Sequence, residues 1–219
     1  MKKVKKYDII AFDLDGTLTN PERGLIASYK YALKKMGVEY GPDSELRRFI
    51  GPPLYEEWQA CYGMTPEEAA ETLSHFREFF AVYGWWDNEL YPGIKDLLAE
   101  LRSRGKKIIL STSKPEVFAK KILAHFGIAE YFDFVGAATL DHKREKKHEV
   151  LEYALCGVGA LDRSKCILVG DRKFDAEGAK ICGIDSLAVT YGHGSVEEIS
   201  SAGFDYIAAT AEDVARLLT

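Results

Sequence analysis

Residues 7–19 read YDIIAFDLDGTLT. An apolar, β-branched run from Tyr7 to Phe12 ends in a turn that carries two aspartates, Asp13 and Asp15, followed by Gly16. In an extended chain, residues two apart point to the same side, so the two carboxylates are presented together while Gly16 lets the backbone turn sharply beside them. An Asp-Gly turn ends many strands. From this composition, however, a chance D-x-D-G-T is expected in only about three such chains in a thousand.

Outward from this segment, further short apolar runs follow at residues 107–110 (KIIL), 131–135 (YFDFV), 166–169 (CILV) and 186–189 (SLAV). Between the later runs the apolar spacing is helical, as in Val117, Ile122 and Phe126, or Val150, Leu151, Ala154 and Leu155. Strands alternating with helices predict an α/β fold, a doubly wound, mainly parallel sheet covered on both faces. The first two runs are separated by far more chain than one crossover helix needs, which predicts an insertion. Its expected limits are residues 19–88, leaving 1–18 and 89–219 as the sheet-bearing core.

The insert reads as helical. Leu25, Tyr29, Leu33 and Met36 share one face of a helix ended by Gly37, and Thr65-Pro66-Glu67-Glu68 opens another with Thr65 as N-cap. Residues 17–88 hold 13 of the 26 aromatic residues, including Trp58, Trp85 and Trp86. A separate helical domain with its own aromatic core accounts for that density; a sharper reading has some of these rings roof a pocket.

The composition of the 219-residue chain, 47% hydrophobic and 29% charged, is that of a soluble globular protein and excludes a disordered one. The net charge of -5 leaves no broad positive field for a nucleic-acid polymer or an anionic membrane. Four lysines within residues 1–6 imitate the basic start of a leader peptide, but Asp8 and Asp13 interrupt the apolar run after them. No apolar stretch is long enough for a membrane span. Cys61, Cys156, Cys166 and Cys182 show neither metal-site spacing nor the density of a disulfide scaffold, so a reducing, cytoplasmic setting is expected.

Ligands of open parallel sheets sit outside the carboxyl ends of the strands. There the chain places Asp13-Leu14-Asp15-Gly16-Thr17, then Ser111-Thr112-Ser113-Lys114, then Gly170-Asp171-Arg172-Lys173-Phe174-Asp175. Carboxylates so close repel one another, and burying them unpaired costs several kcal/mol. A hard divalent cation resolves this, and oxygen ligands beside a phosphate favour Mg2+. No His or Cys cluster offers a zinc site instead. The G-D-x-x-x-D spacing is corroborative only, since it arises by chance in about one such chain in thirteen.

FDLDGTLT (12–19), STSKP (111–115), a lysine ahead of a helix near Lys147, and VGDRKFD (169–175) resemble the four motifs of the haloacid dehalogenase-like hydrolase superfamily. The order and spacing match over essentially the whole chain. The insert resembles the helical cap of the branch that contains phosphoglycolate phosphatases, and FIGPPL (49–54) and YPGI (91–94) are also similar to segments of that branch. The resemblance implies a Rossmann-like core and a Mg2+-dependent phosphomonoesterase acting on a small phosphorylated metabolite, phosphoglycolate-like or nucleotide-like, as monomer or homodimer. It makes Asp13 the nucleophile and Asp15 the general acid and base. Dehalogenase members lack the second aspartate, so its presence favours phosphate esters.

The same resemblance implies that Thr112 and Lys147 bind the phosphoryl oxygens, with Lys146 a substitute one residue away and Lys114 a weaker rival whose place is in the loop. Asp171 completes a metal site with the Asp13 carboxylate and the Asp15 main-chain carbonyl, and Asp175 acts one step further out or through water. Arg48, beside Arg47, is a candidate for an anionic group of the substrate. His193 lies near the same edge, but a lone histidine in a glycine-rich loop is mostly a surface residue. Two alternatives share these residues: a sugar-phosphate mutase of the same superfamily, and a non-hydrolytic phosphoacceptor similar to a receiver domain. Asp15 together with the cap argues against the phosphoacceptor.

Overall fold

In the computed structural model, residues 5–141 and 143–219 are described, so Lys2 and Lys3 of the basic cluster lie outside the described residues. The chain forms two compact units: the chain up to Asn20 with Leu90–Thr219, and Pro21–Glu89. The second begins two residues later and ends one later than residues 19–88. The short strands β2 (Thr19–Asn20) and β3 (Glu89–Leu90) pair where the chain leaves and returns, carrying both crossings past the last strand-like residues.

The first unit is built on six parallel strands. From one edge to the other their order is β5 (Phe134–Ala138), β4 (Lys107–Pro115), β1 (Ile9–Phe12), β6 (Cys166–Gly170), β7 (Asp185–Val189) and β8 (Tyr206–Ala208). β1 is central because its residues Ile10, Ala11 and Phe12 are buried and both flanks find apolar partners. All five residues of β6 are buried as well, the continuous apolar run that a sheet covered on both faces requires. From β1 the chain order runs outward to β4 and β5 on one side and to β6, β7 and β8 on the other. That reversal is where an open sheet leaves a crevice at its carboxyl edge.

Pairing register sets the height of that edge. Ile9–Phe12 lie level with Lys107–Leu110 on one side and with Cys166–Val169 on the other. Phe12, Leu110 and Val169 therefore share a level, and the residues just beyond them emerge together. The strands depart from the apolar runs at their ends, by one residue for β6 and β7, by two for β1, which starts at Ile9, and by more for β4 and β5. β4 continues past Leu110 to Pro115, because Ser111 and Thr112 pair with Gly136 and Ala137 of β5 before an irregularity shifts the register. β5 starts at Phe134, Ala129–Tyr131 forming a short 3-10 turn instead. The edge strand β8 has only three residues, too few to show a period.

Among the described residues, six helices cover this sheet: α5 (Ile94–Ser103), α6 (Glu116–His125), α7 (Lys147–Gly157), α8 (Lys173–Ile181), α9 (Val196–Ala202) and α10 (Ala211–Leu218), numbered after four helices of the second unit. α7 lies close on β5 at Gly136, where a Cβ would sit 2.5 Å from the Val150 carbonyl oxygen.

The second unit contains α1 (Glu22–Lys35), α2 (Asp43–Leu46), α3 (Leu54–Tyr62) and α4 (Pro66–Phe79), the last continuing into one π-helical turn, Phe80–Gly84. Leu25, Tyr29 and Leu33 are buried on α1, and Gly37 ends it with positive φ. Thr65 caps α4 reciprocally: its hydroxyl accepts from Glu68 N at 3.2 Å, and Glu68 accepts from Thr65 N at 2.8 Å. The interior is aromatic. Tyr29 stacks on Phe76 and meets Phe49 and Trp58 edge-on, and its hydroxyl donates to the Phe49 carbonyl at 3.1 Å.

Gly24 of α1 faces the π turn so closely that a Cβ would lie 2.0 Å from the Gly84 carbonyl oxygen. Backbone cannot yield as a side chain can, so Gly24→Ala is expected to destabilise this unit by about 1–3 kcal/mol, the usual range for overpacking. Denaturant unfolding of the two proteins measures it; an unchanged midpoint refutes the close approach.

Candidate active site

Three adjacent strands deliver the acidic and hydroxyl residues. Asp13 follows β1 and its N–H bonds to the Val169 carbonyl at 2.9 Å, which ties the turn to β6. Thr112 and Lys114 stand on the last turnless stretch of β4, and Asp171 follows β6 directly. Two helix starts supply the rest. Glu149 accepts from the N–H groups of Glu145 and Lys146 at 2.9 and 3.0 Å, fixing the first turn of α7 so that Lys147 points inward. Asp175, in the first turn of α8, accepts from Arg172 N at 3.0 Å. The G-D-x-x-x-D spacing thus joins a strand-end aspartate to one that satisfies the next helix's first turn.

The Lys147 ammonium binds this group together. It donates to Asp13 Oδ1 at 2.6 Å and to the Ser111 carbonyl at 3.0 Å, and it pairs with Asp175 Oδ1 at 2.9 Å. Asp13, Asp171 and Asp175 are all buried, and each offers a carboxylate oxygen within 4.8 Å of the other two. Glycines permit this crowding: a Cβ on Gly16 would stand 2.2 Å from Asp171 Oδ2, and one on Gly192 would stand 2.4 Å from Asp171 Cβ. Thr17 Oγ1 donates to Asp171 Oδ1 at 3.3 Å and His193 N to Oδ2 at 2.7 Å.

Charge balance is the notable property of the cluster. Burial, then the neighbouring Asp175 and Asp13, push the Asp171 carboxyl well above its usual range, against the pull of the His193 N–H. Burial raises Asp175 too, outweighing Lys147. Burial works against a charged Lys147, yet Asp13 and Asp175 together hold its ammonium protonated well beyond the ordinary lysine range. Three carboxylates facing one ammonium leave two negative charges uncompensated when all are ionised. An oxygen-liganded divalent cation would supply the missing charge, and the donor set suits a hard one.

Asp15 is set apart from that triad. Its Oδ2 accepts from Lys114 Nζ, and its Oδ1 is buried with no hydrogen-bond partner. The Thr112 hydroxyl, also buried, accepts from Lys114 N at 3.2 Å, which leaves its proton available to a ligand. Ser111 Oγ is a second buried polar atom without a partner at the same strand end. Native interiors leave few such atoms unsatisfied.

Asp13, Asp15, Thr112, Lys147, Asp171 and Asp175 thus all belong to the first unit, at one sheet edge. Asp175 lies nearer the centre than an outer position, since its carboxylate joins the triad itself. Lys146 is exposed, and Lys114 goes to Asp15. Arg48 belongs to the second unit, exposed, with its guanidinium 4.9 Å from the Phe49 ring centroid; Arg47 pairs with Glu22 at 2.8 Å. Residues not singled out by sequence include Thr17 and Tyr191, whose hydroxyl donates to the Thr17 carbonyl at 3.0 Å. His193 contributes its main-chain N–H, a role no side-chain pattern reveals.

Residues 10–189 match the family model described as haloacid dehalogenase-like hydrolase. The chain belongs to this family. It is 38% identical over 194 residues to a 5′-nucleotidase of Pseudomonas aeruginosa, covering 89% of this chain and 87% of that one. It is 30% identical over 215 residues to a phosphoglycolate phosphatase of Vibrio parahaemolyticus, covering 94% and 93%. The solved structure of protein tyrosine kinase A of Mycobacterium tuberculosis superposes with a TM-score of 0.84 at 35% identity, covering 97% of this chain and 98% of that one. Within the family the chain is a phosphatase of the phosphoglycolate phosphatase-like branch.

Two outcomes follow from the electrostatics. Lys147→Met, by stranding buried carboxylates, is expected to cost the metal-free protein about 3–5 kcal/mol, whereas Lys146→Met on the surface stays within about 0.5 kcal/mol; thermal and urea unfolding compare them. The second concerns pH. A carboxyl raised by folding stabilises the protein fully below its unfolded pKa, near ~4, and that contribution is lost as pH rises through the folded value. With a chelator present, wild type minus Asp171→Asn is therefore expected to show stability falling from about pH 4 upward; a flat difference means Asp171 is not raised.

Proposed function

We propose that the protein is a Mg2+-dependent phosphomonoesterase that hydrolyses a small phosphorylated metabolite, phosphoglycolate-like or nucleotide-like, through a phosphoryl group carried transiently on Asp13. The observation that carries this reading is the division of labour between two aspartates two residues apart. Asp13 joins the buried triad beside Lys147, and Asp15 stands outside it with one oxygen unpartnered.

In the first step an Asp13 oxygen attacks phosphorus and the bond to the ester oxygen breaks, with Asp15 giving its proton to the departing alkoxide. In the second, Asp15 takes a proton from water as the water oxygen attacks phosphorus, releasing phosphate and restoring the Asp13 carboxylate. The Thr112 hydroxyl and the Lys147 ammonium hold the phosphoryl oxygens where charge accumulates. Asp13, Asp171 and Asp175, with the Asp15 main-chain carbonyl, would hold Mg2+, which when bound supplies the charge compensation that the triad lacks.

The relatives named as a 5′-nucleotidase and a phosphoglycolate phosphatase support the substrate class. The four cysteines are unpaired thiols, which fits work in a reducing cytoplasm. No described helix is long and apolar enough to cross a membrane.

The test is phosphate release from 2-phosphoglycolate, nucleoside monophosphates, hexose phosphates and p-nitrophenyl phosphate, with Mg2+ or chelator. Asp13→Asn, nearly isosteric, is expected to lose at least ~1,000-fold in turnover while remaining folded. ATP with a tyrosine peptide is run alongside, because one relative bears a kinase's name. Turnover by Asp13→Asn above a few percent, roughly, removes the nucleophile assignment, and metal-independent release removes the Mg2+ assignment.

A further inference from the structure

Lys114 is a buried cation that the reaction above does not use. Its side chain is 6% exposed, against 18% for Asp15, and its Nζ donates to Asp15 Oδ2. The other carboxylate oxygen, Oδ1, is the buried atom without a partner. Lys114 stands two residues beyond Thr112 on β4, and its main-chain N–H bonds to the Thr112 hydroxyl at 3.2 Å. One residue therefore contacts the proton-transfer group through its side chain and the phosphate-binding hydroxyl through its backbone.

A carboxylate at the end of a short, two-bond side chain rotates about its own axis, and either oxygen can carry the proton. Tying down one oxygen removes that ambiguity. Lys147 cannot do this for Asp15, since its ammonium is committed to Asp13, Asp175 and the Ser111 carbonyl.

We propose that Lys114 is a positioning residue for proton transfer: it holds Asp15 by Oδ2, so that Oδ1 is the oxygen that protonates the leaving group and later receives the proton of water. Lys114 does not bind the phosphoryl group. The inference rests on the phosphatase reading, and wild-type turnover of the esters below separates the failure of one from the failure of the other.

The experiment compares esters that differ in their need for an acid. p-Nitrophenolate leaves without protonation, whereas an alkoxide does not. kcat/KM reports only events up to formation of the aspartyl phosphate. For Lys114→Met with Mg2+, kcat/KM is expected to fall by about tenfold or more on the alkyl phosphate of the panel that wild type turns over fastest. On p-nitrophenyl phosphate it is expected to fall by less than about threefold. Turnover of the aryl ester then slows at the second step, so rapid mixing shows a burst of p-nitrophenol equal to the enzyme present. Lys114→Arg, which keeps a cation within reach of Oδ2, is expected to restore the ratio of the two esters. Lys114→Gln, which keeps a donor of neutral charge, carries the same comparison if the methionine variant does not fold. An equal fall on both esters, a rise in KM alone, or no change overturns the proposal, the rise in KM returning Lys114 to a substrate-binding role.

Discussion

The ion pairs of Lys147 with Asp13 and Asp175 are the interactions on which the rest of the first unit depends. Without a cation there, three carboxylates would share a buried space, each resisting ionisation of the others. Much of the local architecture reads as provision for that one ammonium. Glu149 fixes the start of α7, Gly136 lets α7 lie close on β5, and Gly178 lets α8 pass where a Cβ would stand 2.6 Å from Lys147 Cγ. Each of these is a backbone or glycine constraint that does not itself touch Asp13, yet the surroundings of Asp13 follow from them.

Sheet register does the remaining positioning. Because β1 is level with β4 on one side and β6 on the other, the first residues beyond the apolar runs arrive at a common height without any loop having to reach. Rigid placement of reacting groups is what converts a cluster of carboxylates into a catalytic arrangement. The loop that carries His193 then closes on Asp171 through main-chain contacts, and Gly192 and Gly194 are the residues that allow it. A Cβ at Gly194 would stand 2.0 Å from the Asp171 carbonyl oxygen.

Much of this was legible in the residues because local and global signals agree. The apolar run ending at Phe12 forms the interior strand β1 from Ile9 onward, and D-x-D-G-T is rare by chance even though Asp-Gly turns are common, so Asp13 and Asp15 stood out together. Thr65 announced a helix start by its own chemistry. Three things were not legible, each for a different physical reason. The extent of β4 depends on a partner, since Ser111 and Thr112 become strand only by pairing with Gly136 and Ala137. The three residues of β8 are too few to show periodicity. The attachment of Lys114 to Asp15, 99 residues earlier, is a matter of side-chain reach between neighbouring strands, which no linear pattern encodes.

That last contact shows how two identical side chains, two positions apart, come to be different chemically. In solution Asp13 and Asp15 would be interchangeable. Here one is drawn into a buried group of like charges and held by a lysine from a helix start, and the other is kept out of that group and held by a lysine from a strand end. A nucleophile needs its oxygen aimed at phosphorus and its charge balanced in the ground state. A proton carrier needs one free oxygen and a fixed orientation, and a surplus of nearby carboxylates would hinder its return to the ionised form. A phosphoacceptor that only stores a phosphoryl group requires the first arrangement alone. A second cation holding a second aspartate, with one of its oxygens left unpartnered, is what the proposed turnover of an acyl phosphate would require and storage alone would not.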